Sequence, residues 1–456
     1  MANSIVRTDR WGLQPTPEQR KYLRLTQNIY RQFVRGLIGV VYTHYSHINS
    51  AESSCAATEK LIHKTKKNPN PKYAYFDRKF YKFPSYLRRA AIEFAIGQVS
   101  SFITRYSSWQ SGQRKRKDAL PPRLNGKTNV YAVLYKGQCI KFNDELSEAK
   151  IKVFNGSDWI WITVKIVSKR ERHLDSDNKQ LSPTLIVGDK SVCLSVPFKV
   201  KTTPLNPPTG GTEGGKVVAI DVGINTLATA TIVSSDGTVT AREFFHPAAD
   251  IDRRDKRLQS IRHKAKLTVG SGGKLPPRFC QKTYSKCHRI NKEIAQQISL
   301  QIVNLALIYG ANVIVFENLK GWRPKGGRKR SNLKQKFHGW LHRWLVQLTT
   351  EKFEELGGKV ELVYPRGTSS WAYDGSGKVK RSKTNYANAQ FTSGKQYNAD
   401  LNGSQNIGAR YWAWKRKLAH RNGRQLSDGK SSSDKRRIPV TLSTLWESEA
   451  PHLSEG

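Results

Sequence analysis

Three stretches of unlike periodicity predict a multidomain α+β protein. Apolar residues recur every four positions between residue 16 and about residue 112, short β-branched and aromatic runs broken by turns follow to residue 200, and after residue 217 buried-strand runs alternate with amphipathic helices. At 456 residues the chain is long enough for two or three domains that each bury their own core, so no metal or disulfide staple is required on grounds of size.

The helical region opens at TPEQRKYLRLTQNIYRQFVRGL, with Thr16 as N-cap, Pro17 in the first turn and Gln19 at the capping-box position. Leu25, Ile29, Phe33 and Leu37 then form a stripe. Pro84-Ser85 announces a second helix, with Leu87, Ala91 and Phe94 on one face and Phe102 and Tyr106 further along. Between them, KTKKNPNPKYAYFDRKFYKF alternates basic and aromatic residues. Such a mixture suits phosphate contacts with base stacking, and equally a solvated loop anchored by a few aromatics.

The strand-rich stretch contains VYAVLY, CIKF, KIKVF, DWIWITVKIV and SVCLSVPFKV, punctuated by Lys-Gly, Asn-Gly and Gly-Asp turns. With residues 1–15 it makes a β-rich domain over 113–200, flanking a helical domain over 16–112. The segment 201–216, TTPLNPPTGGTEGGK in large part, has the composition of a linker. Beyond it VVAIDV, TLATATIVS and TVTAREFF read as strands joined by tight turns, Ser235-Asp236-Gly237 among them. Ile294, Ile298, Ile302 and Leu305 mark a helix closed by Gly310 and followed by the strand NVIVFE. Phe337, Leu341, Trp344, Leu345 and Leu348 mark another, stopped at Gly357-Gly358 before KVELVYP. Residues 421–456 are polar and aperiodic and read as a mobile tail.

Lys and Arg number 78 against 35 Asp and Glu, a formal net charge of +43, which points to a polyanionic partner. The basic residues are spread along the whole chain, and no apolar run reaches membrane-spanning length, so nucleic acid is expected rather than a membrane. The five cysteines show no CxxC spacing, and the N-terminus lacks the apolar segment of a signal peptide; a cytoplasmic, prokaryotic protein is expected, nucleoid-associated when bound to DNA. Cys287-His288 is adjacent on a helix and reads as helix surface rather than as a ligand pair.

Three carboxylates stand at element ends far apart in sequence: Asp221 after a strand, Glu317 after another, and Asp400 at the start of a helix. Hard divalent cations that grip a scissile phosphate need anionic oxygens drawn from several core elements, so the set reads as a metal-dependent nuclease site. A strand-borne Asp followed by a hairpin, a helix leading to a strand that ends in Glu, and a late Asp opening a helix is the layout of an RNase H-like fold. Gly223 is expected to let the backbone turn tightly beside the site. Asn402 and Asn406 are expected to orient the last helix, or a phosphate, or simply to cap and pack.

DVGINTLAT, VFENLK and DLNGSQNI resemble the three RuvC motifs of the TnpB proteins, transposon-encoded RNA-guided endonucleases related to type V CRISPR effectors. The likeness in order and spacing runs over most of residues 10 to 415. It implies a helical recognition domain at 16–112, a β-barrel-like wedge domain at 1–15 and 113–200, and a RuvC-like nuclease domain at 217–366 and 395–420. It also implies two Mg²⁺ ions held by Asp221, Glu317 and Asp400, a guide RNA derived from a transposon end, and double-stranded target DNA chosen through a short adjacent motif.

TnpB proteins usually carry a four-cysteine zinc ribbon before the last motif, and the corresponding insert at 367–394 has no cysteine. The vacated ligand positions are Trp371, Asp374, Gln390 and Ser393. Trp, Gln and Ser cannot replace thiolates, so a ribbon-like course without structural zinc is expected, with Trp371 packed in the vacated centre. Two basic stretches are candidates for tracking a phosphate backbone: one with Arg253, Arg254, Lys256 and Arg257, the other with Arg328, Lys329, Arg330, Lys334 and Lys336. The sequence therefore predicts a Mg²⁺-dependent RNA-guided DNA endonuclease. A compact type V CRISPR effector working with a CRISPR RNA, or an RNA-guided DNA-binding protein that does not cut, are the alternatives.

Overall fold

A computed structural model describes residues 3–122, 130–175, 177–205, 215–223, 226–270, 273–319, 341–382, 385, 387–419 and 440–449. The chain divides into two compact units, Ser4–Lys201 and Thr202–Gly456, the latter joined by Met1–Asn3.

In the first unit the capping box forms as the sequence dictates. Thr16 accepts from the Gln19 N–H, and the Gln19 side chain accepts from the Thr16 N–H, starting α1 (Pro17–Thr43). Short helices α2 (Tyr45–Ser50), α3 (Ser54–Ile62) and α4 (Tyr75–Lys79) lead to α5 (Ser85–Gln110), which packs on α1. The aromatics between the long helices split by role. Phe76, Phe80 and Phe83 are buried around Phe33, with Phe83 stacked on it at 4.3 Å, whereas Tyr75 and Tyr81 are exposed.

A seven-stranded sheet completes this unit: β1 (Asn3–Gln14), β2 (Ile140–Phe142), β3 (Glu148–Phe154), β4 (Trp159–Ser168), β5 (Lys179–Gln180), β6 (Thr184–Val187) and β7 (Val192–Thr202). The strand order is β2-β3-β4-β1-β7-β5, with β6 also on β7, so among the described residues the sheet is an open path and not a closed barrel. Val130–Tyr135 corrects a sequence expectation: it makes only an isolated bridge, Val133 to Thr184, although Ala132 and Leu134 are buried. One apolar core joins helices and sheet, running from Trp11 and Phe198 through Leu37 and Val41 to Leu87 and Val99.

The second unit is built on the sheet β10-β9-β8-β11-β12, formed by β8 (Lys216–Asp221), β9 (Ala228–Ser234), β10 (Val239–Phe245), β11 (Val313–Glu317) and β12 (Lys359–Val363). The first three strands are antiparallel, while β8, β11 and β12 run parallel. Helices α6 (Ala248–Val269) and α7 (Gln281–Ile308) lie between β10 and β11, and α8 (His342–Glu355) precedes β12. Val218, Ile220, Ile314 and Phe316 pack on one face with Ile294, Ile298 and Ile302 of α7 and Leu345 of α8. Val217, Ala219, Val313 and Val315 pack on the other face with Ile407 and Trp412 of α9 (Ala399–Lys415).

Before α9 comes a small sheet of β13 (Lys380–Arg381), β14 (Asn388–Gln390) and β15 (Gln396–Asn398), which carries the insert past residue 394 to the N-cap of α9. The mobile tail expected at 421–456 is corrected in part. Residues 420–439 and 450–456 lie outside the described residues, but Leu442 and Leu445, the latter on α10 (Ser443–Glu449), are buried against the α9 face of the large sheet.

Candidate active site

Pairing register places two of the three acids side by side. β8 and β11 are parallel neighbours with Phe316 opposite Ile220, so the next residues, Glu317 and Asp221, leave the C-terminal ends of both strands at one level. Side chains alternate across a strand, and the odd-numbered residues Val217, Ala219, Val313 and Val315 face α9. Asp221 and Glu317 continue that series. The third acid, Asp400, lies in the first turn of α9, where Asn398 caps the helix by accepting from the N–H groups of Asp400 and Leu401. A helix N-terminus carries partial positive charge, which favours anions there.

The carboxylates are half-buried, and their surroundings act on their protonation in one direction. Desolvation, then the charges of Glu317 and Asp400, hold Asp221 well above the ordinary carboxylate range, with Arg381 opposing. Glu317 is raised by desolvation against a hydrogen bond from Thr368 and the charge of Arg410. Asp400 is raised by desolvation, opposed by Arg381 and by a hydrogen bond from Thr226. Asp221 thus stands in the field of both other acids. Among the described residues no three His, Cys, Asp or Glu side chains form a closed ligand cluster, so the meeting of the three acids is electrostatic rather than a finished coordination sphere. Their chemistry fits hard divalent cations: mutually repelling, desolvated carboxylates are relieved by positive charge placed among them.

The backbone around the site is held by α9. Asn402 accepts from the Tyr373 N–H at 2.8 Å and donates to the Trp371 carbonyl at 2.8 Å, while Asn406 donates to the carbonyls of Thr368 and Trp371, both at 2.9 Å. Of the sequence alternatives for these asparagines, orientation of α9 against the preceding segment is the one seen. Arg410 donates to the carbonyls of Tyr364 and Arg366, and burial brings its pKa down to about 10. At Gly223 an added Cβ would lie 2.4 Å from the Thr226 carbonyl oxygen, in keeping with the tight turn expected beside Asp221.

The insert departs from one expectation. Its centre is filled by Tyr373, Phe391 and Tyr397, whose rings stand 5.1–6.1 Å apart, and Trp371, half-exposed, is not part of that cluster. Of the four vacated positions, Asp374 and Ser393 meet, the Ser393 hydroxyl donating at 3.4 Å. Asp374 also accepts from the Ser376 N–H and hydroxyl, while Gln390 lies in the β14 ladder. Of these side chains only the Asp374 carboxylate is a usual zinc donor, and a structural zinc site takes four ligands, mostly thiolate and imidazole.

The basic candidates divide. Arg253 pairs with Asp250 at 2.8 Å, and Arg254, mostly buried, pairs with Asp255 at 2.8 Å and donates to Asn291 of α7, so Arg254 ties two helices together. Lys256 and Arg257 lie on the same helix, with Arg257 donating to the Arg253 carbonyl. Arg328, Lys329, Arg330, Lys334 and Lys336 lie outside the described residues. Sequence reading missed Arg381, the cation acting on Asp221 and Asp400, because one Arg within KVKRSK carries no distinguishing pattern. It also missed His342 at the start of α8, which hydrogen-bonds the Glu317 carbonyl and whose pKa is lowered by burial.

Residues 7–155 match the Aq_aa04 family. Over 125 residues the chain is 30% identical to the TnpB-like protein aq_aa05 of Aquifex aeolicus (strain VF5), a match covering 26% of this chain. The chain spans 38% of the length of that curated relative. Among solved structures, the mini-RNA-guided endonuclease CRISPR-Cas_phi3 superposes with a TM-score of 0.55 at 12% identity, over 89% of this chain and 92% of that one, a likeness of fold. Among the described residues no helix is long and apolar enough to cross a membrane.

Proposed function

We propose that this chain, which is related to TnpB-like proteins, is an RNA-guided DNA endonuclease whose second unit is an RNase H-like nuclease domain cutting phosphodiester bonds at Asp221, Glu317 and Asp400. The observation that supports the reading is the register that ends β8 and β11 at one level, with Asp221 in the field of both Glu317 and Asp400. The strand order β10-β9-β8-β11-β12, with α9 across one face, supports the RNase H-like assignment.

In this reading the three acids would hold two Mg²⁺ ions, and the chemistry such ions would supply is activation of the attacking water and stabilisation of the leaving oxygen. The chain's own residues do the placing. Thr368 and Thr226 orient Glu317 and Asp400 by hydrogen bonds, and the two asparagines of α9 fix the segment that carries Thr368. Arg381 sets a positive charge near Asp221 and Asp400, where the anionic backbone of a DNA strand would arrive. The net charge of +43 suits guide RNA and double-stranded target DNA as partners, with target choice delegated to base pairing.

The test begins with the RNA that copurifies with the chain, which identifies a guide scaffold. The complex is then reprogrammed and incubated with matched plasmid DNA and Mg²⁺. Strand scission by the wild type and none by Asp221→Asn is the expected result. Tight, guide-dependent binding with no Asp221-dependent scission would instead make this a targeting protein.

A further inference from the structure

A wide cleft in the second unit is not lined by the carboxylates. It lies along the α6–α7 hairpin and measures about 1210 Å³. Its lining combines two kinds of side chain. Leu258, Leu275 and Phe279 give it an apolar wall, with Tyr284, 48% exposed, beside them. Arg262, Arg278 and Arg289 also line it, and none of the three forms an ion pair with a described residue. From Arg262 to Lys292 the sequence carries nine Lys or Arg and no Asp or Glu, so this stretch of the hairpin brings no acid of its own to the cleft.

The backbone at its edge is strained. Arg278 and Cys280 both adopt left-handed conformations, at φ 64° and 48°, and they flank Phe279. Neither is a glycine, and such conformations cost on the order of 1–3 kcal/mol each for a non-glycine residue. The turn sets Phe279 and Arg278 on the cleft just before α7 begins at Gln281.

Aromatic faces beside unneutralised arginines match one kind of ligand, a nucleic-acid strand with a base out of its stack and phosphates on either side. Duplex DNA offers no free base face to Phe279 or Tyr284. Gln281, Ser285 and Asn291 add uncharged donors and acceptors to the lining, the equipment that meets a ribose 2′-hydroxyl. We infer that the α6–α7 cleft binds single-stranded RNA, an unstacked base resting on Phe279 and Tyr284 while the flanking phosphates lie on Arg262, Arg278 and Arg289. The inference rests on the functional reading above for RNA as a partner of this chain, and it adds a contact site separate from the carboxylates.

The experiment uses the full-length chain freed of copurifying RNA, without Mg²⁺, so that its outcome is independent of cleavage. A 20-nucleotide oligouridine containing one 4-thiouridine is bound, photocrosslinked and mapped, with oligothymidine of equal length and a DNA duplex as competitors. Crosslinks to the 275–289 segment are expected. The double variant Phe279→Ala/Tyr284→Ala should bind about tenfold more weakly, and Phe279→Trp/Tyr284→Phe should restore binding. Arg278→Ala should reduce the slope of log affinity against log salt by about 1, while the aromatic variants leave it unchanged. Crosslinks confined to other regions, or an alanine pair that binds like wild type, would overturn the inference. Oligothymidine competing as well as oligouridine would overturn its commitment to RNA. A chain that crosslinks as expected yet never cuts DNA would sink the nuclease reading and leave the cleft standing.

Discussion

Gly403, one turn into α9, lies directly against Asp221 of β8: a Cβ at position 403 would sit 2.5 Å from the Asp221 Oδ2 and 3.3 Å from the Ser369 hydroxyl oxygen. The helix that carries Asp400 can approach the strand that carries Asp221 because position 403 has no side chain. One glycine therefore sets how closely two of the acids meet.

Gly403→Ala should separate stability from activity. Alanine favours a helix interior by roughly 1 kcal/mol over glycine, so the helix itself is not weakened. The new methyl group must displace the Asp221 carboxylate or lift α9, and a misplacement of about 1 Å can cost on the order of a hundredfold in rate. Single-turnover cleavage by the guide-loaded protein is expected to fall by about that factor, with the thermal transition shifted little. A wild-type rate would show that the separation of Asp221 and α9 is not critical.

Asp221→Asn should stabilise the protein when divalent ions are absent. The folded state holds the Asp221 proton more tightly than the unfolded chain does, because desolvation and the charges of Glu317 and Asp400 raise its pKa. Between the ordinary carboxylate value and that raised value the folded protein binds more protons, so stability falls as pH rises through the window. Above the ordinary carboxylate range Asp221 therefore costs the folded state stability, and asparagine, which does not titrate, removes that cost. Melting in EDTA at pH 7.5 should be higher for the variant, by about 2–4 °C for each kcal/mol relieved, and the gap should close as pH drops to the ordinary carboxylate range. Mg²⁺ should raise the wild-type transition more than that of the variant. Equal melting of the two proteins in EDTA at both pH values would contradict the electrostatic account.

Legibility in the sequence followed the range of the interaction. The capping box at Thr16 and Gln19 and the Ser235-Asp236-Gly237 turn are local, and both form where the sequence puts them. The acids were legible because Asp221 and Glu317 each end an apolar run and Asp400 opens a helix, which fixes each one's position along an element. Their common level was not, since the register Phe316 opposite Ile220 is a pairing of strands almost a hundred residues apart. Arg381 and His342 were invisible for the same reason: their partners are chosen by tertiary approach. Composition misled at the C-terminus, where Leu442, Leu445 and Trp446 are too few to show a period yet are enough to dock on a ready-made surface.

Asn406→Ala should loosen the segment that holds Thr368 against Glu317. The Asn406 amide spans two carbonyls, those of Thr368 and Trp371, and leaving buried carbonyls unpaired costs about 1–3 kcal/mol. Hydrogen exchange should quicken at residues 368–373, with β8 and β11 protected as before. Asn402→Asp keeps an acceptor for the Tyr373 N–H but sets a buried carboxyl oxygen against the Trp371 carbonyl, so it should loosen the same segment at least as much. Unchanged exchange in both variants would refute the clamp.

The C-terminal segment should stabilise the insert at residues 367–394. The Ser443 N–H donates to the Tyr373 carbonyl at 2.9 Å, and the Trp446 ring meets the Tyr373 ring edge-on at 6.2 Å. The Trp446 indole also donates to the Gly237 carbonyl at 3.1 Å. Tyr373 is itself part of the aromatic centre with Phe391 and Tyr397, so the segment presses on the residue that fills the insert. Truncation after residue 439 removes this contact together with the buried Leu442 and Leu445, and burying a leucine side chain is worth about 1.5–3 kcal/mol. The truncated chain should melt several degrees lower and be cleaved by protease within residues 367–398 before the large sheet is attacked. Trp446→Ala should give the same protease pattern with a smaller thermal shift. A zinc chelator should change neither the intact chain's transition nor its digestion. A chelator that reproduces the truncation pattern, together with about one zinc per chain by elemental analysis, would show that a metal holds the insert after all.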